Sequence, residues 1–152
     1  MAAVEERLAE LGLEVPSVAA PVAVYVPAIR SGDYVYTSGQ LPFVDGELTI
    51  TGKVGAGVNA DEAQQAARQC ALNAIAALGS IVDLDDVVRI VKVVAFVASD
   101  AGFTGQPQVA NGASELIGAV FGEAGQHARS AVGVAVLPLD APVEVEVVAE
   151  VR

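Results

Sequence analysis

The stretch Val87-Val88-Arg89-Ile90-Val91-Lys92-Val93-Val94-Ala95-Phe96-Val97-Ala98 decides the fold. Its β-branched side chains are stiff at χ1 and pack well on a pleated backbone, so it reads as a central strand. Upstream lies the acidic loop Asp83–Asp86, and before that the clearest helix. Asn59 with Glu62 three residues later forms a capping box. Ala63, Ala67, Cys70, Ala74 and Leu78 follow the helical period beside Ala66, Ala71 and Ile75, and Gly79 stops the helix. So many alanines let this helix lie close against a sheet. Downstream, Asp100–Gly105 is a loop, and Gln106-Pro107 opens a second helix of about 16 residues. That helix points Val109, Leu116, Ile117, Val120 and Phe121 inward and ends at Gly122 and Gly125. Strands over Ser130–Leu137 and Val143–Val151 follow, joined by the tight connection Pro138–Pro142.

The N-terminal part supplies the remaining elements. Residues 1–13 read as a short helix with Val4, Leu8 and Leu11 on one face and Gly12 as its stop. Pro16 and Pro21 stiffen an extended connector. A strand over Val22–Ile29, the turn Arg30–Asp33 and a strand over Tyr34–Ser38 form a hairpin. Gly39-Gln40 then begins a long crossover holding the turn Val44–Glu47 and the loop Thr51–Gly57. The order β-β-α-β-α-β-β predicts an α+β fold, a mostly antiparallel sheet with two helices packed on one face. Residues 1–17 read as an N-terminal helical extension and 18–152 as one domain. Val88, Ile90, Val94, Phe96, Val132 and Val134 exceed what two helices cover. A closed dimer or trimer is the economical cover for that second face.

Composition narrows the function. Among 152 residues, 8 Lys+Arg stand against 19 Asp+Glu, a net charge of −11, while 53% of residues are hydrophobic. That apolar content excludes disorder. The charge argues against a nucleic-acid module driven by phosphate contacts. The acidic N-terminus is unlike a signal peptide. No run reaches the roughly 18 apolar residues of a membrane span, and Val15–Ile29 is broken by prolines. Neither a membrane nor a nucleic acid is expected as a partner, and the cytoplasm is the expected setting. Cys70 is the only cysteine and His127 the only histidine, so one chain forms no disulfide, no Cys/His dyad and no two-His metal site. Nucleotide-binding glycine loops, zinc-protease and serine-hydrolase signatures are absent.

A few polar residues stand out within apolar surroundings. Arg129 sits at the mouth of the apolar run Ala131–Val136. It reads either as a bidentate clamp for a carboxylate or as a strand-end arginine reaching solvent or an acid. Glu144 and Glu146 alternate with valines and share one face of the last strand. They are ordinary surface acids if that face is solvated. If it lines an interface, one is a part-buried carboxylate suited to acid–base work. Thr37-Ser38-Gly39-Gln40 reads as a ligand contact or as turn chemistry, and Asn111 as a pocket group or a capping amide. Tyr25 reads as packing and Cys70 as core. His127 is a loop histidine, with general-base chemistry near pH 7 as its sharper reading.

Two blocks carry a family resemblance. Val35-Tyr36-Thr37-Ser38-Gly39-Gln40-Leu41-Pro42 is one; Ala128-Arg129-Ser130-Ala131-Val132-Gly133-Val134-Ala135-Val136-Leu137-Pro138, followed by Val143-Glu144-Val145-Glu146, is the other. Together with Gln64–Leu78, including Asn73, and Val88–Val93, they resemble the YjgF/Rid family of reactive enamine/imine deaminases across residues 18–152. The resemblance implies a chorismate-mutase-like trimeric barrel, a homotrimer with pockets in the clefts between subunits. It implies hydrolysis of 2-imino or 2-enamino acids to 2-oxo acids and ammonia, without metal or cofactor. Arg129 matches the family's carboxylate-binding arginine and Glu144 the glutamate that positions the attacking water. Ser38, Tyr25 and Asn111 match further pocket positions. Ala131 stands where the deaminase branch usually has cysteine, Ser114 where an aromatic is usual, and Pro27 where glutamine is common. These departures mark a divergent subgroup. They motivate an alternative, non-catalytic binding of small carboxylate metabolites in the same inter-subunit pockets. A ribonuclease activity, described for some members, is disfavoured by the charge.

Overall fold

The computed structural model describes residues 3–18 and 23–152. Helices α1 (Ala3–Glu10), α2 (Ala60–Gly79) and α3 (Gln106–Phe121) accompany seven strands. These are β1 (Ala28–Ser31), β2 (Tyr34–Thr37), β3 (Phe43–Val44), β4 (Glu47–Leu48), β5 (Val87–Ala98), β6 (Ala128–Val134) and β7 (Val143–Val151). Five strands form one sheet in the order β1-β2-β7-β5-β6, and β3 pairs with β4 in a separate hairpin.

This architecture is α+β, but the expected trimeric barrel with two helices needs three corrections. The sheet is mixed: β6 runs parallel to β5, whereas β5–β7, β2–β7 and β1–β2 are antiparallel. The crossover through α3 returns the chain to the starting end of β5, and that connection enforces parallel pairing. Among the described residues there are three helices, because the short N-terminal α1 packs against α3 beside the two that cover the sheet, and α2 is 20 residues long. No sheet closes into a barrel, because β1 and β6 are edges at opposite ends of the order and do not pair. The first strand is also shorter than expected. Pro27 lacks the N–H a ladder needs, so pairing begins at Ala28; Val22 lies outside the described residues. On β6, pairing stops at Val134 opposite Ala98, where β5 ends.

One face of the sheet is closed by α2 and α3. Val35, Val93, Ala95, Val97, Val143, Val145, Val147 and Ala149 are buried there. Both bonds of the capping box form: Glu62 N–H donates to Asn59 Oδ1 (2.8 Å) and Asn59 N–H to Glu62 Oε1 (3.2 Å). Such a cap is worth about 1 kcal/mol. A Cβ at Gly112 would lie 2.0 Å from the Gln64 carbonyl oxygen, so α3 crosses α2 at a separation only glycine allows. α1 buries Val4 and Leu8, and Arg7 Nη1 donates to the Val120 carbonyl of α3 (3.0 Å). The Asp85 carboxylate accepts the N–H groups of Ala3 and Val4, both at 3.1 Å.

The opposite face is open. Tyr36, Val94, Phe96, Val132 and Val148 share it with Glu144 and Glu146, and each keeps some solvent exposure. Ile90 does not belong with them. Register shifts between Val87/Arg89 and Ile90/Lys92 turn it under the helices, where it is buried.

Candidate functional site

The segment after β2 forms the first half of the site. Tyr36 pairs with Val148, and the next backbone bridge joins Gln40 to Val145. Four steps along one strand thus face three along the other, which is a β-bulge. Its hydrogen bonds are rerouted: Val147 N–H donates to Thr37 Oγ1 (3.0 Å), and Gln40 N–H to the Val145 carbonyl (2.8 Å). Ser38 ties this bulge to the chain before β1, donating from N–H to the Pro27 carbonyl (2.8 Å) and from Oγ to the Val26 carbonyl (2.6 Å). Tyr25 lies in that preceding segment and is partly exposed.

Gly39 is the centre of this half. A Cβ there would sit 1.9 Å from Glu144 Oε1, so the carboxylate rests directly on the glycine backbone. Desolvation, then the charge of Glu146, raises the proton affinity of the Glu144 carboxyl above the ordinary carboxylate range. A half-buried carboxyl with its proton affinity raised in this way is suited to taking and returning a proton.

The second half lies where α3 meets β6. Arg129 Nη1 donates to Asn111 Oδ1 (2.8 Å) and Ser114 Oγ (3.2 Å), and Nη2 reaches the Pro107 carbonyl (3.4 Å). Ser114 Oγ also lies 2.9 Å from His127 Nε2, while His127 Nδ1 lies 2.6 Å from the Gly125 carbonyl. Ala131, two residues on, shares Arg129's face of β6 and packs against the core.

The two halves do not meet within one chain. Arg129 is level with Val93 and Val147, on the face the helices cover. Glu144 is level with Phe96 and Val132, on the open face. Two strand spacings, about 10 Å, and three residues of rise, about another 10 Å, separate them in addition. The chain therefore joins Arg129 with Asn111, and Glu144 with Gly39, beside Ser38. Cys70 is core: burial, then the charge of Glu144, pushes its thiol up, and Sγ contacts the Val143 carbonyl at 3.6 Å. Among the described residues no cluster of His, Cys, Asp and Glu is placed to hold a metal ion, and no helix is long and apolar enough to cross a membrane. Sequence reading missed the chain of contacts from His127 to Ser114 and from Ser114 to Arg129. Ser114 lies on α3, 13 and 15 residues before the other two, and no short spacing announces that it meets them.

Known proteins share the fold of this chain. A family model described as "YjgF/chorismate mutase-like, putative endoribonuclease" matches residues 5–151. Protein TCP17 of Trypanosoma cruzi is 47% identical over 98% of this chain and 94% of its own length. A crystal structure of a protein of unknown function from Agrobacterium tumefaciens superposes with a TM-score of 0.93 at 44% identity, covering 99% of this chain and 93% of that one. Escherichia coli TdcF, solved with bound serine, is more distant: TM-score 0.64 and 26% identity over 89% of this chain and 93% of its own. On the extent of these matches, the chain belongs to the YjgF/Rid family.

Proposed function

We propose that this protein hydrolyses reactive 2-imino and 2-enamino acids to 2-oxo acids and ammonia, in pockets formed between copies of a homotrimer. The observation that carries the reading is Glu144 seated on Gly39, a half-buried carboxyl of raised proton affinity beside a backbone that leaves it room. A protonated 2-imino acid has an electrophilic C2 and a carboxylate, so it needs positioning and proton transfer rather than a strong nucleophile. Arg129 grips the carboxylate through parallel N–H donors. Glu144 takes a proton from water as the oxygen bonds to C2, and returns it to nitrogen. The C–N bond then breaks as the C2 hydroxyl gives its proton to Glu144 and on to the departing ammonia, so that iminium and water become 2-oxo acid and ammonium. Ser38, Tyr25, Asn111 and Ala131 line the pocket.

The separation of Arg129 from Glu144 within a chain supports a shared pocket, with the open sheet face of one copy completing the α3–β6 edge of another. Serine bound to TdcF carries a carboxylate beside a carbon that bears nitrogen, as a 2-imino acid does, although its nitrogen is an amine and not an imine. That observation also favours a second reading, in which the pocket holds small carboxylates without turning them over. To separate the two, 2-iminobutanoate is generated in situ by an amino-acid oxidase and its decay followed. Faster decay with the protein, abolished by Arg129→Ala, supports the hydrolase. Saturable binding of 2-oxobutanoate with no acceleration of imine decay supports the binding reading and overturns catalysis.

A further inference from the structure

Arg129 brings five N–H donors to its surroundings. Both donors of Nη1 are directed at α3, toward Asn111 Oδ1 and Ser114 Oγ. Nη2 makes only the long contact to Pro107, and among the described residues Nε donates to none. Because Nη1 is the nitrogen on the Cδ side, the edge left over is Nε–H beside Nη2–H. Those two parallel donors match the two oxygens of a carboxylate.

Ser114 holds its oxygen toward Arg129 only if its own hydrogen is directed elsewhere, and His127 receives it. The Gly125 carbonyl accepts and never donates, so the 2.6 Å contact assigns the proton of the neutral imidazole to Nδ1. Nε2 is then an acceptor, and the hydrogen it accepts at 2.9 Å is the Ser114 hydroxyl's. The direction of the whole chain follows: His127 Nδ1–H to Gly125, Ser114 O–H to His127, Arg129 Nη1–H to Ser114. With its lone pair engaged, Nε2 is not placed to serve as a general base.

We propose that Ser114 and His127 are positioning residues that, through this hydrogen-bond relay, present the Nε/Nη2 edge of Arg129 to a substrate carboxylate. The proposal rests on the carboxylate-binding role given to Arg129 above. Without the relay the guanidinium keeps only Asn111 as a close anchor and loses its fixed plane. Two side chains from elements 13 residues apart in sequence thus set the orientation of one cation.

His127 is the only histidine, so the imidazole region of a nitrogen-15 spectrum of the intact protein reads it alone. The expected neutral form carries its proton on Nδ1; a proton on Nε2 overturns the proposal. Binding of 2-oxobutanoate by titration calorimetry supplies the second measurement. Ser114→Ala and His127→Phe are expected to weaken it about tenfold, the scale of one displaced hydrogen bond to a charged group. Ser114→Thr, which keeps the hydroxyl, restores binding to within about twofold. In turnover the Ala and Phe variants raise KM more than they lower kcat. If both bind like the wild type while Arg129→Ala does not bind, the relay is overturned and the carboxylate role stands. If Arg129→Ala binds as well as the wild type, that role falls and the relay with it.

Discussion

The two faces of the sheet differ in what completes them. The helix-covered face is finished by the chain itself: β5 contributes Ile90, Val93, Ala95 and Val97, and α2 and α3 bury all four. The open face alternates with it along the same strands but mixes Val94, Phe96 and Val148 with Glu144 and Glu146. An apolar face finished within the chain supplies stability. An apolar face bearing a half-buried carboxylate is the combination on which the proposed inter-subunit pocket rests. Each face owns half of the site, with Arg129 at the rim of the closed side and Glu144 on the open one.

The most direct way to break this comparison is to place a charge on each face in turn. Ile90→Asp buries an unpaired carboxylate, costs several kcal/mol and leaves no folded protein by circular dichroism. Val94→Asp keeps the folded spectrum of the chain but reduces the mass seen by analytical ultracentrifugation to that of a single copy. Loss of folding in both variants would show that the two faces are equally internal. Next in size is Glu144→Gln, expected to lower kcat about 100- to 1,000-fold with a smaller change in KM. Imine decay in a stopped assay reads it; an unchanged kcat would remove Glu144 from the reaction.

Gly39→Ala is milder. The clash is with the far end of a flexible side chain, so the cost to stability stays within about 1 kcal/mol while the carboxylate is displaced. An activity loss of about tenfold at nearly unchanged Tm is the expected pattern; a large drop in Tm would mean the bulge itself had failed. The smallest effect is a pH dependence. Folding raises the proton affinity of Glu144. The native state therefore holds more protons than the unfolded state between the ordinary carboxylate range and the raised value, and stability falls as pH rises through that window. Glu144→Gln removes this slope. Its Tm should exceed that of the wild type at neutral pH, and the difference should vanish below the ordinary carboxylate range.

The legible parts of the fold were those written in local signals. The Asn59–Glu62 box and the alanine period located α2, and the β-branched run located β5 from Val87 to Ala98. The alternation Val143–Val147 placed Glu144 and Glu146 on one face. The parallel pairing of β6 was not legible, since it depends on where α3 returns the chain. Nor was the position of Ile90, because β-bulges turn a strand without changing its composition. Of the candidate site, Arg129 with Asn111 and Glu144 with Ser38 and Gly39 were singled out individually, but their grouping into two halves was not. Ser114 seemed only an unusual residue and His127 only a loop histidine until their contacts joined them to Arg129.

Sequence alone thus located α2, α3, β5 and β7 and singled out Arg129 and Glu144 as candidates by their side-chain chemistry. Those properties follow from period, capping and side-chain chemistry, which act over a few residues. Only the tertiary structure decided which face each group occupies and which N–H groups of Arg129 are engaged by α3. It also decided that a chain holding both halves of the site keeps them on opposite sides of one sheet. Face and hydrogen-bond partner depend on register and on contacts between distant elements, and no local pattern encodes them.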